Sequence, residues 1–394
     1  MNILHLNQAG SHVGGAEGYI ADVVNALKEA GHHSHLVYFD PDDAGTLIAD
    51  TTYGFLPEWP RSSAQALQIL DRVIASFHPD IAYIHTVYHP SIVEWIAQRL
   101  PSVAYVHSSY LVCPGSAQYL RRRSKVCPHK AGLCCLLNAQ IEHCCWGRNP
   151  LTHMRLIQRV HAFVAAYHHV NHTFVGSRFM LQLLQRGGIA LDRLSILPPV
   201  LVRQPVPLFN SAKDSDTVLF AARLTPEKGL AHLILALSQV LYDWQLVVAG
   251  DGGERQRCQV LAQQLGVADR VRFVGWLNPS EMSSMLQSCG CVAVPSLWPE
   301  PFGRLGPEAF LHGRPVVAFG VGGIADWLED GVSGYLVESG DVAGFARALE
   351  SLLGSPALRH QMGRQARHRA VEKWSTQSHI ARLLATFTEA QMLI

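Results

Sequence analysis

Residues 1–31, MNILHLNQAGSHVGGAEGYIADVVNALKEAG, run from a short apolar segment through a glycine turn into an amphipathic stretch. Met1–Asn7 reads as a strand, Gly14-Gly15-Ala16-Glu17 as the turn, and Ala16–Gly31 as a helix. A strand apolar on both faces suits the interior of a parallel sheet covered by helices on either side. Glycines at the strand-to-helix turn let backbone approach a ligand, and the unpaired N–H groups of the helix start favour an anion. A plain turn that needs glycine for its dihedrals explains the same residues equally well.

The alternation continues outward from this unit. His35–Phe39, Ile81–Ile84, Val103–Val106 and Val170–Val175 read as strands, and Ser177–Gly187 as a further helix. At Ile196–Ser215 periodicity fades among prolines, which marks a linker. Strands then resume at Val218–Ala221, Leu246–Ala249, Val271–Val274, Cys291–Pro295, Val316–Ala318 and Gly334–Val337. The helices between them are Leu230–Leu241, Arg255–Leu265, Ser280–Gln287, Gly306–His312 and Val342–Leu353. The tail from Pro356 is helical apart from a break at Trp374–Ser375. The expected fold is therefore α/β, with two doubly wound Rossmann-like domains facing each other across a cleft at the carboxyl ends of their sheets. Residues 1–200 form the first, residues 201–373 the second, and residues 374–394 a helix crossing back to the first.

Composition agrees with two globular domains. The chain has 394 residues, 48% of them hydrophobic and 16% charged, more than one core usually fills. Thirty-two basic residues meet thirty-one acidic ones, a balance that excludes a nucleic-acid field. No apolar run is long enough to span a bilayer and no signal peptide is recognisable, so a cytoplasmic protein is expected.

Three later motifs carry chemistry. Arg223 and Lys228 follow the first strand of the second half, where two cations can clamp a diphosphate. Gly250-Asp251-Gly252-Gly253 ends the next strand; its glycines suit a ligand and Asp251 suits a helix cap. Most weight falls on Glu300-Pro301-Phe302-Gly303-Arg304-Leu305-Gly306-Pro307-Glu308. Its two carboxylates can grip two sets of hydroxyls, with N–H groups near Gly303 to Gly306 facing a phosphate between them. Pro307 is tolerated because it falls in the first helical turn.

Together with Gly322-Gly323 and Asp330-Gly331-Val332-Ser333-Gly334, these motifs resemble the family-4 retaining glycosyltransferases of the B-type two-domain (GT-B) fold. The resemblance covers almost the whole chain and implies transfer of a sugar from a nucleotide-diphosphate sugar to an acceptor hydroxyl, with retention by front-face attack. Glu308 would bind ribose, Glu300 the donor sugar, and Arg223 and Lys228 the diphosphate. Phe302, Gly303, Leu305, Gly306, Gly14, Gly15 and Gly250 would border the donor, Arg272–Gly275 the base, and His107 the sugar. UDP- or GDP-sugars are the implied donors, and a sugar, lipid-linked or small molecule the acceptor, with no metal required at the diphosphate. The chain departs from the family pattern at Ala222, Ser108, Arg304 and Pro307. A sugar-nucleotide epimerase of the same fold and a non-catalytic nucleotide-sugar-binding protein are the alternatives.

An insert at about residues 108–148 holds six of the nine cysteines. Cys113, Cys127, Cys134 and Cys144 could supply a tetrahedral structural zinc, although no CxxC spacing appears; buried free thiols are the other reading. The run Arg121-Arg122-Arg123 suits an anionic acceptor or a lipid diphosphate through peripheral membrane contact, and a solvated basic loop explains it as well.

Overall fold

The computed structural model describes every residue except 12, 13, 146, 148, 201–214 and 394. The chain divides into two compact units, residues 1–203 with 376–394, and residues 204–375. Ile196 closes a strand, and residues 201–214 of the expected linker lie outside the described residues.

The first unit is built on β1 (Asn2–Asn7), β2 (His33–Tyr38), β3 (Thr51–Tyr53), β4 (Ile81–Ile84) and β5 (Ser102–Val106). A hairpin of β6 (Tyr119–Leu120) and β7 (Lys125–Val126) follows, then β8 (His172–Val175) and β9 (Leu194–Ile196). Seven strands form one parallel sheet in the order β3-β2-β1-β4-β5-β8-β9. Its helices are α1 (Gly15–Glu29), α2 (Ala64–Phe77), α3 (Pro90–Ala97), α4 (Cys134–Ile141), α5 (Pro150–Tyr167) and α6 (Arg178–Gly187). Each sheet face carries its own apolar cluster, one with Leu70, Ile92, Phe163 and Met180, the other with Tyr19, Val23 and Leu27. Helix α6 shows the local logic. Ser177 accepts from the Met180 amide at its start, and Gly188 at φ 114° turns the chain away at its end.

The second unit holds β10 (Thr217–Ala221), β11 (Gln245–Ala249), β12 (Val271–Gly275), β13 (Cys291–Val294), β14 (Val316–Phe319) and β15 (Gly334–Val337). They form a parallel sheet in the order β12-β11-β10-β13-β14-β15. Helices α7 (Leu230–Leu237), α8 (Arg255–Gln264), α9 (Pro279–Ser288), α10 (Leu305–Leu311), α11 (Val342–Leu353) and α12 (Pro356–Lys373) cover it. The chain then returns to the first unit as α13 (Thr376–Gln391), whose Ile380, Leu383 and Phe387 complete the cluster around Tyr19. Both sheets reverse strand order beside their first strand, at β1/β4 and β10/β13, and crevices at such reversals take ligands.

Helix α7 is shorter than expected. It ends at Leu237, and Leu241 stands in solvent beyond it, so the apolar pattern there overstated the helix. The short strands β3, β6, β7 and β9 were not anticipated; none carries the long apolar run that marks a central strand.

Candidate functional site

The reversal point of the second unit gathers most of the expected residues. After β10 the chain passes Arg223, makes a single tight turn over Pro226–Lys228, and enters α7 through Gly229 at φ 74°. A Cβ on Gly229 would overlap the Pro295 carbonyl at the end of β13, so this glycine lets the two loops meet. Lys228 Nζ donates to Glu300 Oε1 at 2.7 Å, and the Ser296 hydroxyl donates to the same oxygen at 2.6 Å. The ammonium also lies 4.9 Å from the centre of the Trp298 ring. Burial alone would raise the Glu300 carboxyl; the Lys228 charge and the bonds from Lys228 and Ser296 outweigh it and hold the group below the usual carboxylate range. Glu300 is therefore ionised at neutral pH inside an otherwise buried loop.

The rest of that loop is stapled from below. Trp327 Nε1 donates to the Phe302 carbonyl at 2.6 Å, and a Cβ on Gly306 would run into the same indole. Gly303 takes φ 82°. Gly322, at φ 59°, leaves no room for a side chain against the Glu300 backbone, while the Gly323 amide donates to the Glu300 carbonyl at 2.7 Å. The loop runs into Leu305 and Gly306 at the start of α10, where unpaired amides and the helix dipole favour an anion. Glu308 sits one turn on, half-buried, with Oε1 accepting from Arg304 Nε at 3.2 Å. Arg304, one of the departures from the family pattern, thus holds the carboxylate expected to bind ribose.

Two residues of the turn after β11 differ from expectation. Gly250 takes φ 119° because a Cβ would overlap the Ala222 carbonyl, so backbone packing between the loops after β10 and β11 explains it without a ligand. Asp251 accepts from the Gly252 amide at 2.7 Å and pairs with Arg255 at 3.0 Å, a structural role, but it does not cap α8, whose N-cap position is Glu254. Arg223 is exposed, and among the described residues nothing pairs with its guanidinium. Arg272–Gly275 lies in β12, the edge strand of this sheet.

In the first unit, Gly14 is the extended residue before α1, and Gly15 opens the helix. Glu17 Oε2 lies 3.7 Å from where a Gly14 Cβ would stand. His107 follows β5 and belongs to a chain that sequence reading missed. His107 Nε2 lies 3.4 Å from His85 Nδ1, His85 Nε2 lies 3.2 Å from His5 Nδ1, and His5 Nε2 lies 3.1 Å from Ser34 Oγ. The adjacent strands β1, β4 and β5 bring these rings together. Desolvation pushes His5 down to about 3 and His85 well below the ordinary histidine range, so both stay neutral. Each ring then has one donor and one acceptor nitrogen, and the chain couples the tautomer of His107 to its neighbours. Tyr19 packs edge-on to His107 at 5.2 Å and bonds His379 of α13 at 3.1 Å. The available signal was a histidine at or just beyond the carboxyl end of each apolar strand.

The cysteine insert also departs from expectation. Cys113, Cys127, Cys135, Cys144 and Cys145 line one small pocket, and Cys134 does not. The Cys134 thiol instead faces the Lys130 carbonyl at 3.6 Å, one helical turn back. All nine cysteines are free thiols. A hydrogen bond from Cys145 brings the Cys144 thiol down to about 7, whereas burial pushes Cys113 and Cys127 up. Among the described residues no three His, Cys, Asp or Glu side chains are placed to hold a metal ion, so the zinc set is not assembled. The basic run is tied down rather than converging on a pocket. Arg123 pairs with the buried Glu142 at 2.8 Å, and Arg122 reaches the Ile141 carbonyl at 3.5 Å.

Comparison with known proteins places both halves. Residues 13–201 match the model described as Glycosyltransferase Family 4, and residues 208–369 the model described as Glycosyl transferases group 1. The chain is 33% identical over 164 residues to an uncharacterized glycosyltransferase of Methanocaldococcus jannaschii, covering 41% of this chain and 42% of that protein. It is 32% identical over 241 residues to D-inositol 3-phosphate glycosyltransferase of Acidothermus cellulolyticus, covering 56% and 53%. The chain thus spans about half the length of the curated relatives it matches. The fold matches that of Anabaena HepE solved with UDP, with TM-score 0.74 at 20% identity over 99% of this chain and 100% of that one. Among the described residues no helix is long and apolar enough to cross a membrane.

Proposed function

Because the chain belongs to the family-4 glycosyltransferases of the GT-B fold, we propose that it moves a sugar from a nucleoside diphosphate sugar to an acceptor hydroxyl with retention of configuration. The observation that carries this reading is the Lys228–Glu300 pair, fixed at the strand reversal beside the start of α10. One cation, one ionised carboxylate and a helix N-terminus are what a sugar diphosphate requires of a protein. Anabaena HepE has been solved with UDP and with UDP-glucose, which supports a UDP-sugar as donor here.

In this reading Arg223 and Lys228 neutralise the diphosphate as it leaves, Glu300 holds sugar hydroxyls and Glu308 the ribose. The amides of Gly303 to Gly306 meet the phosphate. Phe302 is held by Trp327 and lends the loop its shape. His107, its tautomer coupled to His85 and His5, hydrogen-bonds the donor sugar. Front-face attack lets the departing phosphate oxygen accept the acceptor's proton, so catalysis is positioning and charge stabilisation.

A thermal-shift screen of the purified chain against UDP-, GDP-, ADP- and TDP-sugars tests the donor site. The correct donor at a hundred times its dissociation constant stabilises the native state by about 2.7 kcal/mol. Glu308→Ala should lose that shift. A shift of equal size in the variant overturns the site, and the anomeric configuration of the product, read by NMR, decides retention.

A further inference from the structure

The insert carries a surface that donor chemistry does not use. Residues 108–160 hold eight Lys and Arg side chains against a single acid, Glu142, whereas the whole chain has a net charge of only +1. That one acid is buried, with its charge taken up by Arg123. The rest of the chain is therefore net negative, and its positive charge is concentrated here.

An unpartnered apolar face lies beside this charge. Leu133, Leu137 and Ile141 recur every four residues on one side of α4 and are 82%, 66% and 50% exposed. The same helix buries Ala139, and its Cys135 and Asn138 line the thiol space, so α4 is anchored on its inner side. Helix α4 packs against α5, whose first turn exposes Leu151 (66%) and Met154 (46%). The basic hairpin is fastened to the same place, because Arg122 reaches the carbonyl of Ile141 and the Arg121 amide donates to that of Glu142. Water does not favour five large apolar side chains exposed on α4 and the start of α5.

We propose that this insert docks on an anionic lipid bilayer. Helix α4 lies in the headgroup region with Leu133, Leu137 and Ile141 directed into the acyl boundary, and the basic hairpin rests on lipid phosphates. Charge complementarity selects this occupant. A second copy seated on the same face would bring two basic inserts together, whereas an anionic membrane neutralises them. An eight-residue helix is far too short to span, so the contact is interfacial. The docking does not depend on the donor reading.

Co-sedimentation of the full chain with vesicles tests it, using phosphatidylcholine alone or mixed with phosphatidylglycerol. The expected result is binding to the anionic vesicles at least tenfold tighter than to neutral ones, weakening as salt is raised. Leu137→Glu and Lys125→Glu should each lower that binding at least tenfold while the melting temperature stays that of the parent chain. Binding that ignores lipid charge, binding unchanged in Leu137→Glu, or no binding at all would overturn the proposal. So would a concentration-dependent dimer in sedimentation velocity that Leu137→Glu abolishes, since the face would then serve self-association. The donor thermal shift, measured on the same samples, reports separately on the sugar-transfer reading.

Discussion

Lys228→Met is the perturbation that isolates the ion pair at the reversal point. Methionine keeps an apolar stem against Trp298 and removes only the charge that faces Glu300. Stranding one member of a buried ion pair costs about 3–5 kcal/mol, and the partial exposure of Lys228 argues for the lower end, about 3 kcal/mol. For a unit of this size that is a fall of roughly 6–12 °C in melting temperature. Glu300→Gln supplies the second arm, and the double variant should be little worse than Lys228→Met alone, because no charge is then left uncompensated. The pH dependence has a definite sign. The folded Glu300 carboxyl titrates below its ordinary value of 4.5, so the stability it contributes is complete above that pH and is lost as pH falls through the folded value. In Lys228→Met burial acts unopposed by the ammonium and raises the carboxyl, so the gap from the parent chain narrows as pH is lowered from 7 to 5. Thermal unfolding followed by circular dichroism in the two buffers reads every arm. A double variant whose loss is the simple sum of the singles, with a gap that ignores pH, would refute the reasoning.

Two further outcomes follow from the same geometry. Gly322→Ala meets both a positive φ of 59° and the Glu300 backbone, and should cost about 3 kcal/mol, whereas Gly331→Ala, at φ 70° with open space around it, should cost about 1 kcal/mol; denaturant melts compare them directly. Desolvation holds folded His5 at about 3 and His379 at about 4. The unfolded chain then binds more protons below pH 6.5, and each residue withdraws roughly 2 kcal/mol by pH 5. His379→Gln should flatten the fall in melting temperature between pH 7 and 5, and an unchanged slope would show that His379 titrates normally.

How much of this was legible depends on the range over which the signal acts. Central strands such as Ile81–Ile84 and Cys291–Val294 declare themselves, because burial on both faces demands an unbroken apolar run. The helix break at Trp374–Ser375 was equally local. The edge strand Thr51–Tyr53 is half-buried and polar, so nothing in its composition separates it from a loop. Gly250 looked like a ligand contact because a glycine that admits a ligand and one that admits a neighbouring carbonyl are the same residue. His5, His85 and His107 are neighbours only through the sheet order β1-β4-β5, which no sequence spacing encodes. The cysteines show the converse error. Crowding in sequence suggested ligation, whereas Cys134 and Cys135 both face the Lys130 carbonyl and Cys134 does not line the space shared by the other thiols of the insert.

The two glutamates of the site are held in unequal ways, and the difference bears on the work assigned to each. Glu300 is paired with a cation from a loop 72 residues away, so the bond fixes the relation of two loops as well as the charge. Lys228 and Ser296 both approach Oε1, which lets the second oxygen meet a hydroxyl without breaking the pair. Glu308 is paired within its own helix to Arg304, four residues earlier, at a half-exposed position. Such pairs contribute only about 0.3–0.5 kcal/mol, so exchanging the guanidinium for ribose hydroxyls costs little. A rigid carboxylate suits the sugar, where a misplaced reacting atom is costly in rate, and an exchangeable one suits the nucleoside, which only has to be held.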